Sequence, residues 1–102
     1  MLSEVLLVDD SSDLEVHPQL GRPLEDWVGE EEKVRLVRNS ERQGLIRSKN
    51  RGAEESLGEV VVFLDAHCEV SVNWLPPLLA PIAENVKTVT VPIIDAIGME
   101  KF

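Results

Sequence analysis

Basic residues are scarce in this chain. It has 10 lysines and arginines against 19 aspartates and glutamates, a formal net charge of -9 at pH 7. That balance argues against general nucleic-acid binding, which depends on phosphate neutralisation. Cysteine is scarcer still, with Cys68 alone, so no internal disulfide can form. Compartment does not follow from this, because a fragment can leave its cysteine partners behind. No apolar run is long enough to span a membrane, and no basic region followed by an apolar one opens the chain. If the parent is secreted or anchored, its signal is expected outside these residues. What is present is ordinary: 102 residues, 43% hydrophobic and 28% charged, enough for one modest soluble domain or a piece of a larger one.

The few basic residues are unevenly placed. Seven of the ten lie between Lys33 and Arg51: Lys33, Arg35, Arg38, Arg42, Arg47, Lys49 and Arg51. A basic island in an acidic chain suggests one local anionic ligand. The alternative is a solvated helix face with paired charges, which is the better account of any single arginine.

Apolar periodicity sets out the elements. Residues 4–10, EVLLVDD, read as a buried strand ending in acids. A short helix from Pro23 would place Leu24, Trp27 and Val28 on one face. Residues 34–39 are a second strand, SERQG a polar loop, and residues 45–57 a helix closed by Gly58. Ile46, Ala53 and Leu57 would share its apolar face. Residues 59–65, EVVVFLD, predict a third strand and residues 88–95 a fourth. Between them a helix capped by Ser71 would carry Pro76 and Pro77 near its first turn, with Pro81 bending or ending it. Trp74, Leu75, Leu78, Leu79 and Ile82 would form its core face. Strands alternating with helices imply a largely parallel α/β sheet, with ligands beyond the carboxyl ends of its strands. Asp9-Asp10 and Asp65 would share that rim.

Asp65 and His67 stand out. In an extended segment both point the same way while Ala66 points aside. A carboxylate oxygen and an imidazole nitrogen suit a borderline divalent ion such as Mn²⁺. Water, a distant residue or ligand phosphate must complete the shell. The plain alternative makes Asp65 a turn former and His67 a surface residue. By spacing alone that alternative wins; placement at the end of a buried strand favours function. Asp10 is either a turn residue or an acceptor for a base or sugar. Arg42, in the loop after the second strand, could reach an anion or stack on a base. Cys68 reads as a small packing residue, not a nucleophile, and His17 as surface.

The ordered blocks EVLLVDDSSD, VRLVRNSERQGLIRSKNRGA, VVVFLDAHCEVSVNWLPPLL and TVTVPIIDAI resemble the polypeptide N-acetylgalactosaminyltransferases across nearly the whole chain. The resemblance implies a partial GT-A (Rossmann-like) fold, mostly parallel sheet flanked by helices. It implies a retaining, Mn²⁺-dependent transfer of N-acetylgalactosamine from UDP-GalNAc to serine or threonine of a protein acceptor, the first step of mucin-type O-glycosylation. It also implies a Golgi membrane parent with a lumenal catalytic domain and a lectin domain. The family's Asp-Ser-His metal motif is matched by Asp65-Ala66-His67, which departs at the middle residue but keeps both ligands. Asp10 matches the second aspartate of the family's V-D-D block, expected at the uridine part. Arg42 and Asp65 are expected at the nucleotide sugar. No catalytic nucleophile is implied.

On that resemblance residues 1–102 are the nucleotide-sugar half of a catalytic domain. The family's first nucleotide-binding strand, a downstream histidine ligand, the acceptor-binding half and the lectin domain are all missing, so the isolated chain is expected to be inactive. Two rivals belong to other classes. A phosphoacceptor receiver domain would also place acids after its first and third strands. Against it stand the long gap from Asp10 to Asp65 and a G-L-I-R-S-K-N-R-G-A block without a role there. A non-catalytic interaction fragment, pairing through an open sheet edge, is the third reading.

Overall fold

A computed structural model describes residues 1–98. The chain divides into two units, Met1–Leu64 and a second beginning at Asp65. In the first, strand β1 (Val5–Asp9) pairs with strand β2 (Val34–Arg38) in parallel, in a register running from Val5 opposite Val34 to Asp9 opposite Arg38. Parallel neighbours need a long crossover. Here a 3-10 turn at Pro18–Leu20 and helix α1 (Arg22–Glu30) supply it. Pro23 sits in the first turn of α1, where its missing N–H removes no helical bond. Leu24 and Val28, one turn apart, are half-buried as expected, but Trp27 is 47% exposed and does not join their face.

Helix α2 (Leu45–Glu55) follows β2 and packs on β1. Its packed face is not the predicted one. Ile46 is 77% and Leu57 79% exposed, while Ser48 is buried. Gly52, one turn beyond Ser48, explains the difference. A Cβ there would lie 3.1 Å from a Val8 methyl, so α2 approaches β1 more closely than a side chain permits. The small residues meet the sheet, and the large apolar ones lie elsewhere on the helix. The helix stops at Ser56, whose hydroxyl donates to the Ala53 carbonyl at 2.7 Å, before reaching Gly58. Val37 is the buried hydrophobic residue among those described, and Asn39 and Ser48 are buried with it.

The third and fourth predicted strands do not form. Residues 59–65 and 88–95 contain no strand, and no ladder is available to them among the described residues. Phe63 and Leu64 are both 55% exposed. An apolar extended segment becomes a strand only when a neighbour takes its N–H and C=O groups.

In the second unit the organising element is helix α3 (Leu75–Glu84). Trp74 occupies the cap position, preceded by Asn73 in the left-handed region at φ 58°, so Ser71 is not the cap. Pro76 and Pro77 lie in the first turn as predicted, whereas the helix runs through Pro81 to Glu84. Thr90 donates its hydroxyl to the Leu78 carbonyl at 3.0 Å, tying the following segment to the helix. Trp74, Leu75, Leu78, Leu79 and Ile82 are the half-buried positions, matching the predicted face. No helix of the described residues is long and apolar enough to cross a membrane.

Candidate functional site

The end of β1 delivers two adjacent carboxylates with different tasks. Asp9, opposite Arg38 in the ladder, accepts from its guanidinium at 2.6 Å and from the Ser12 hydroxyl. Arg38 also donates to the Leu20 carbonyl at 2.5 Å and pairs with Glu25 at 3.3 Å. Asp9 therefore binds β1 to β2 and, through Arg38, to the crossover.

Asp10 turns to the loop after β2. It accepts from the Gln43 N–H at 2.7 Å, the Asn39 side-chain amide at 2.9 Å and the Gly44 N–H at 2.9 Å. These donors, the Gln43 N–H first and Asn39 next, hold the Asp10 carboxyl at about 2, below its usual 3.8, with the Ser48 hydroxyl adding to the effect. Gly44 opens α2 at φ 89°, a conformation that strains any other residue. A carboxylate beside the first N–H groups of a helix also meets the positive end of its dipole.

Asn39 joins this carboxylate to the helix. Its amide donates to both Asp10 and the Ser48 Oγ, the latter at 3.0 Å, and its Oδ1 accepts from Arg51 at 2.7 Å. Arg51 also donates to the Arg38 carbonyl at 2.8 Å and pairs with Glu55. The sequence reading singled out neither Asn39 nor Ser48. The polar residue at the end of an apolar strand was the available signal. An open cleft of about 520 Å³ lies beside this network, lined by Asn39, Ser40, Gln43, Arg47, Asn50, Arg51, Glu54 and Glu55.

The basic island is not one anion site. Lys33 donates to the Leu2 carbonyl, Arg35 pairs with Glu4 at 2.6 Å, and Arg38 and Arg51 are committed as above. Arg42 differs: it is exposed and makes no hydrogen bond or ion pair among the described residues.

Asp65 and His67 belong to the second unit. They lie in a turn, closed by the Cys68 N–H donating to the Asp65 carbonyl at 3.2 Å, and not in the extended segment that sequence spacing assumed. The alternation argument therefore does not apply to them. Both line a cavity of about 750 Å³ with Cys68, Glu69, Ile94 and Asp95. The oxygen and imidazole donors suit a borderline divalent ion. No group of three or more metal-binding side chains occurs among the described residues, so the pair is a partial donor set. Asp95, on the same cavity, was not singled out by sequence.

Comparison with known proteins places this arrangement. The whole chain, residues 1–102, matches the family described as Glycosyl transferase family 2. It is 54% identical over 103 residues to N-acetylgalactosaminyltransferase 7 of Drosophila melanogaster, an alignment covering 100% of this chain and 17% of that protein. It is 48% identical over 102 residues to polypeptide N-acetylgalactosaminyltransferase 10 of Homo sapiens, covering 100% of this chain and 16% of that one. A crystal structure of GalNAc-T7 with UDP, GalNAc and Mn²⁺ superposes with a TM-score of 0.75 at 42% identity, over 82% of this chain and 15% of that one. The chain therefore spans well under a fifth of the length of these relatives. Its parallel strand pair and helices are a part of the GT-A fold, and the chain, similar to a part of the polypeptide N-acetylgalactosaminyltransferases, belongs to glycosyl transferase family 2.

Proposed function

We propose that this chain carries nucleotide-sugar and metal-binding residues of an enzyme that moves N-acetylgalactosamine from UDP-GalNAc to serine or threonine of proteins, with retention of configuration. The observation that carries the reading is Arg42, an exposed guanidinium without a partner among the described residues, in a loop pinned by Asp10. The GalNAc-T7 structure with UDP, GalNAc and Mn²⁺ supports the choice of ligand and metal. In the proposed scheme Asp10 and Arg42 serve the nucleotide sugar, and Asp65 and His67 supply an oxygen and a nitrogen to the ion. When bound, Mn²⁺ supplies Lewis-acid stabilisation of negative charge at a departing diphosphate. Arg42 offers an exposed positive charge to a diphosphate. No residue is assigned as a nucleophile. The acceptor-binding half and lectin domain are assigned to the parent outside residues 1–102. A Golgi location with the catalytic side in the lumen is proposed for that parent.

Calorimetric titration of the 102-residue chain with UDP, with and without Mn²⁺, tests the reading. Metal-dependent binding is expected, and Asp65→Ala should abolish the metal dependence. UDP binding that ignores both metal and substitution would overturn the assignment of Asp65.

A further inference from the structure

We propose that Asn39 and Ser48 are positioning residues of the nucleotide-sugar site, holding the loop of residues 40–44 through Asp10 so that Arg42 is preset for a diphosphate. This rests on the reading of Arg42 given above. Asp10 receives donors from both ends of the loop: the Asn39 amide where β2 finishes, and the Gln43 and Gly44 N–H groups where α2 begins. The Asn39 backbone N–H is fixed separately, to the Asp9 carbonyl at 2.9 Å. Arg42 lies between these pinned ends. Ordering such a loop at the moment of binding would cost backbone entropy at each of its residues. A loop already closed avoids that cost, which is how preorganisation raises affinity.

The network also explains why Arg42 is available. An ionised carboxylate has about four acceptor positions. Asn39, Gln43 and Gly44 supply three donors to Asp10, and Ser48 accepts from the same Asn39 amide and so fixes it. A bare carboxylate near Arg42 would compete for its guanidinium. With Asp10 engaged by these donors, Arg42 keeps its own for an incoming anion. Asn39 and Ser48 are both buried, so their action on the ligand runs through Asp10 and the loop.

The test compares UDP with uridine, which lacks the diphosphate, in calorimetric titrations of the 102-residue chain with Mn²⁺. Ser48→Ala should weaken UDP by about three- to tenfold, the effect of one hydrogen bond. Uridine affinity should fall less than UDP affinity, and Ser48→Thr, which keeps the hydroxyl, should restore UDP binding. Added to Arg42→Ala, Ser48→Ala should cause no further loss, because both act on one contact. Equal weakening of UDP and uridine, or full additivity with Arg42→Ala, would overturn the positioning role. If the native chain binds no UDP, the reading of Arg42 fails instead. Amide exchange then decides the clamp: Ser48→Ala should accelerate exchange at Gln43 and Gly44 while Leu36 and Val37 in the ladder stay protected. Unchanged exchange at Gln43 and Gly44, or an equal rise everywhere, overturns it.

Discussion

Residues 4–10 and residues 59–65 share a pattern: a glutamate, an apolar run and a terminal aspartate. The first becomes β1, and the second stays irregular. The difference lies in the company each keeps. β1 has a parallel partner in β2, a helix against it through Gly52, and an arginine opposite its terminal acid. Even Glu4, just before it, is held: its carboxylate accepts from Arg35 at 2.6 Å and from the Leu57 N–H at 2.7 Å. Residues 59–65 have no strand neighbour among the described residues. Apolar content makes a strand possible; the ladder and the packed helix make it one.

The polar network at the end of β1 is where that company matters most, so the largest effect is expected there. Asn39→Ala removes the donor to Asp10 and Ser48 and the acceptor for Arg51, stranding buried or half-buried groups. Loss of several such bonds should destabilise the first unit by about 2–4 kcal/mol. Urea denaturation followed by far-ultraviolet circular dichroism measures it. A loss below about 0.5 kcal/mol would mean that water replaces the network freely, and the contrast with residues 59–65 would then rest on the ladder alone.

Acid should probe the same end of β1 by another route. The Gln43 N–H, followed by Asn39, holds the Asp10 carboxyl at about 2 against its usual 3.8, and Arg35 with the Leu57 N–H lowers that of Glu4. Both folded values lie below their unfolded ones. Their contribution is therefore complete above the unfolded values and is lost as pH falls through the folded ones. For Asp10 the window runs from about pH 4 down to about pH 2. Thermal midpoints should be flat in neutral solution and drop across that window. Asp10→Asn should lower the neutral plateau and flatten the drop. An acid limb of unchanged slope in Asp10→Asn would remove Asp10 from the account.

The sequence and the folded chain agree where the signal is local. The strands at Val5–Asp9 and Val34–Arg38, all three helices and the half-buried face of α3 follow from apolar spacing and proline placement. They part where structure depends on distant partners. The packed face of α2 is set by Gly52 against Val8, a contact that periodicity cannot see because glycine registers as a gap in an apolar pattern. Asp65 and His67 were legible as ligand types, but their turn was not, because it depends on residues 59–65 failing to pair. Asp10 and Arg42 stand out through block resemblance, and the fold adds the hydrogen bonds that pin the loop between them. Asn39 and Ser48 were not, since single polar residues beside strands and within helices are common, and only the fold brings them to one carboxylate.

The smallest expected effect gives the sharpest form of the comparison, because it uses one chemistry at two places. Val37 in β2 is 7% exposed, while Val62 in the irregular stretch is 46% exposed. Truncating each to alanine removes the same two methyl groups. At Val37 the loss combines transfer from a buried site with the cavity left behind, about 1–3 kcal/mol. At Val62 the side chain is already largely in water, and the change should fall within about 0.5 kcal/mol. Urea midpoints of Val37→Ala and Val62→Ala, compared at equal m-values, give the ratio directly. A loss at Val62 as large as that at Val37 would show that residues 59–65 bury their apolar side chains in solution, and that the two acid-terminated runs are alike after all.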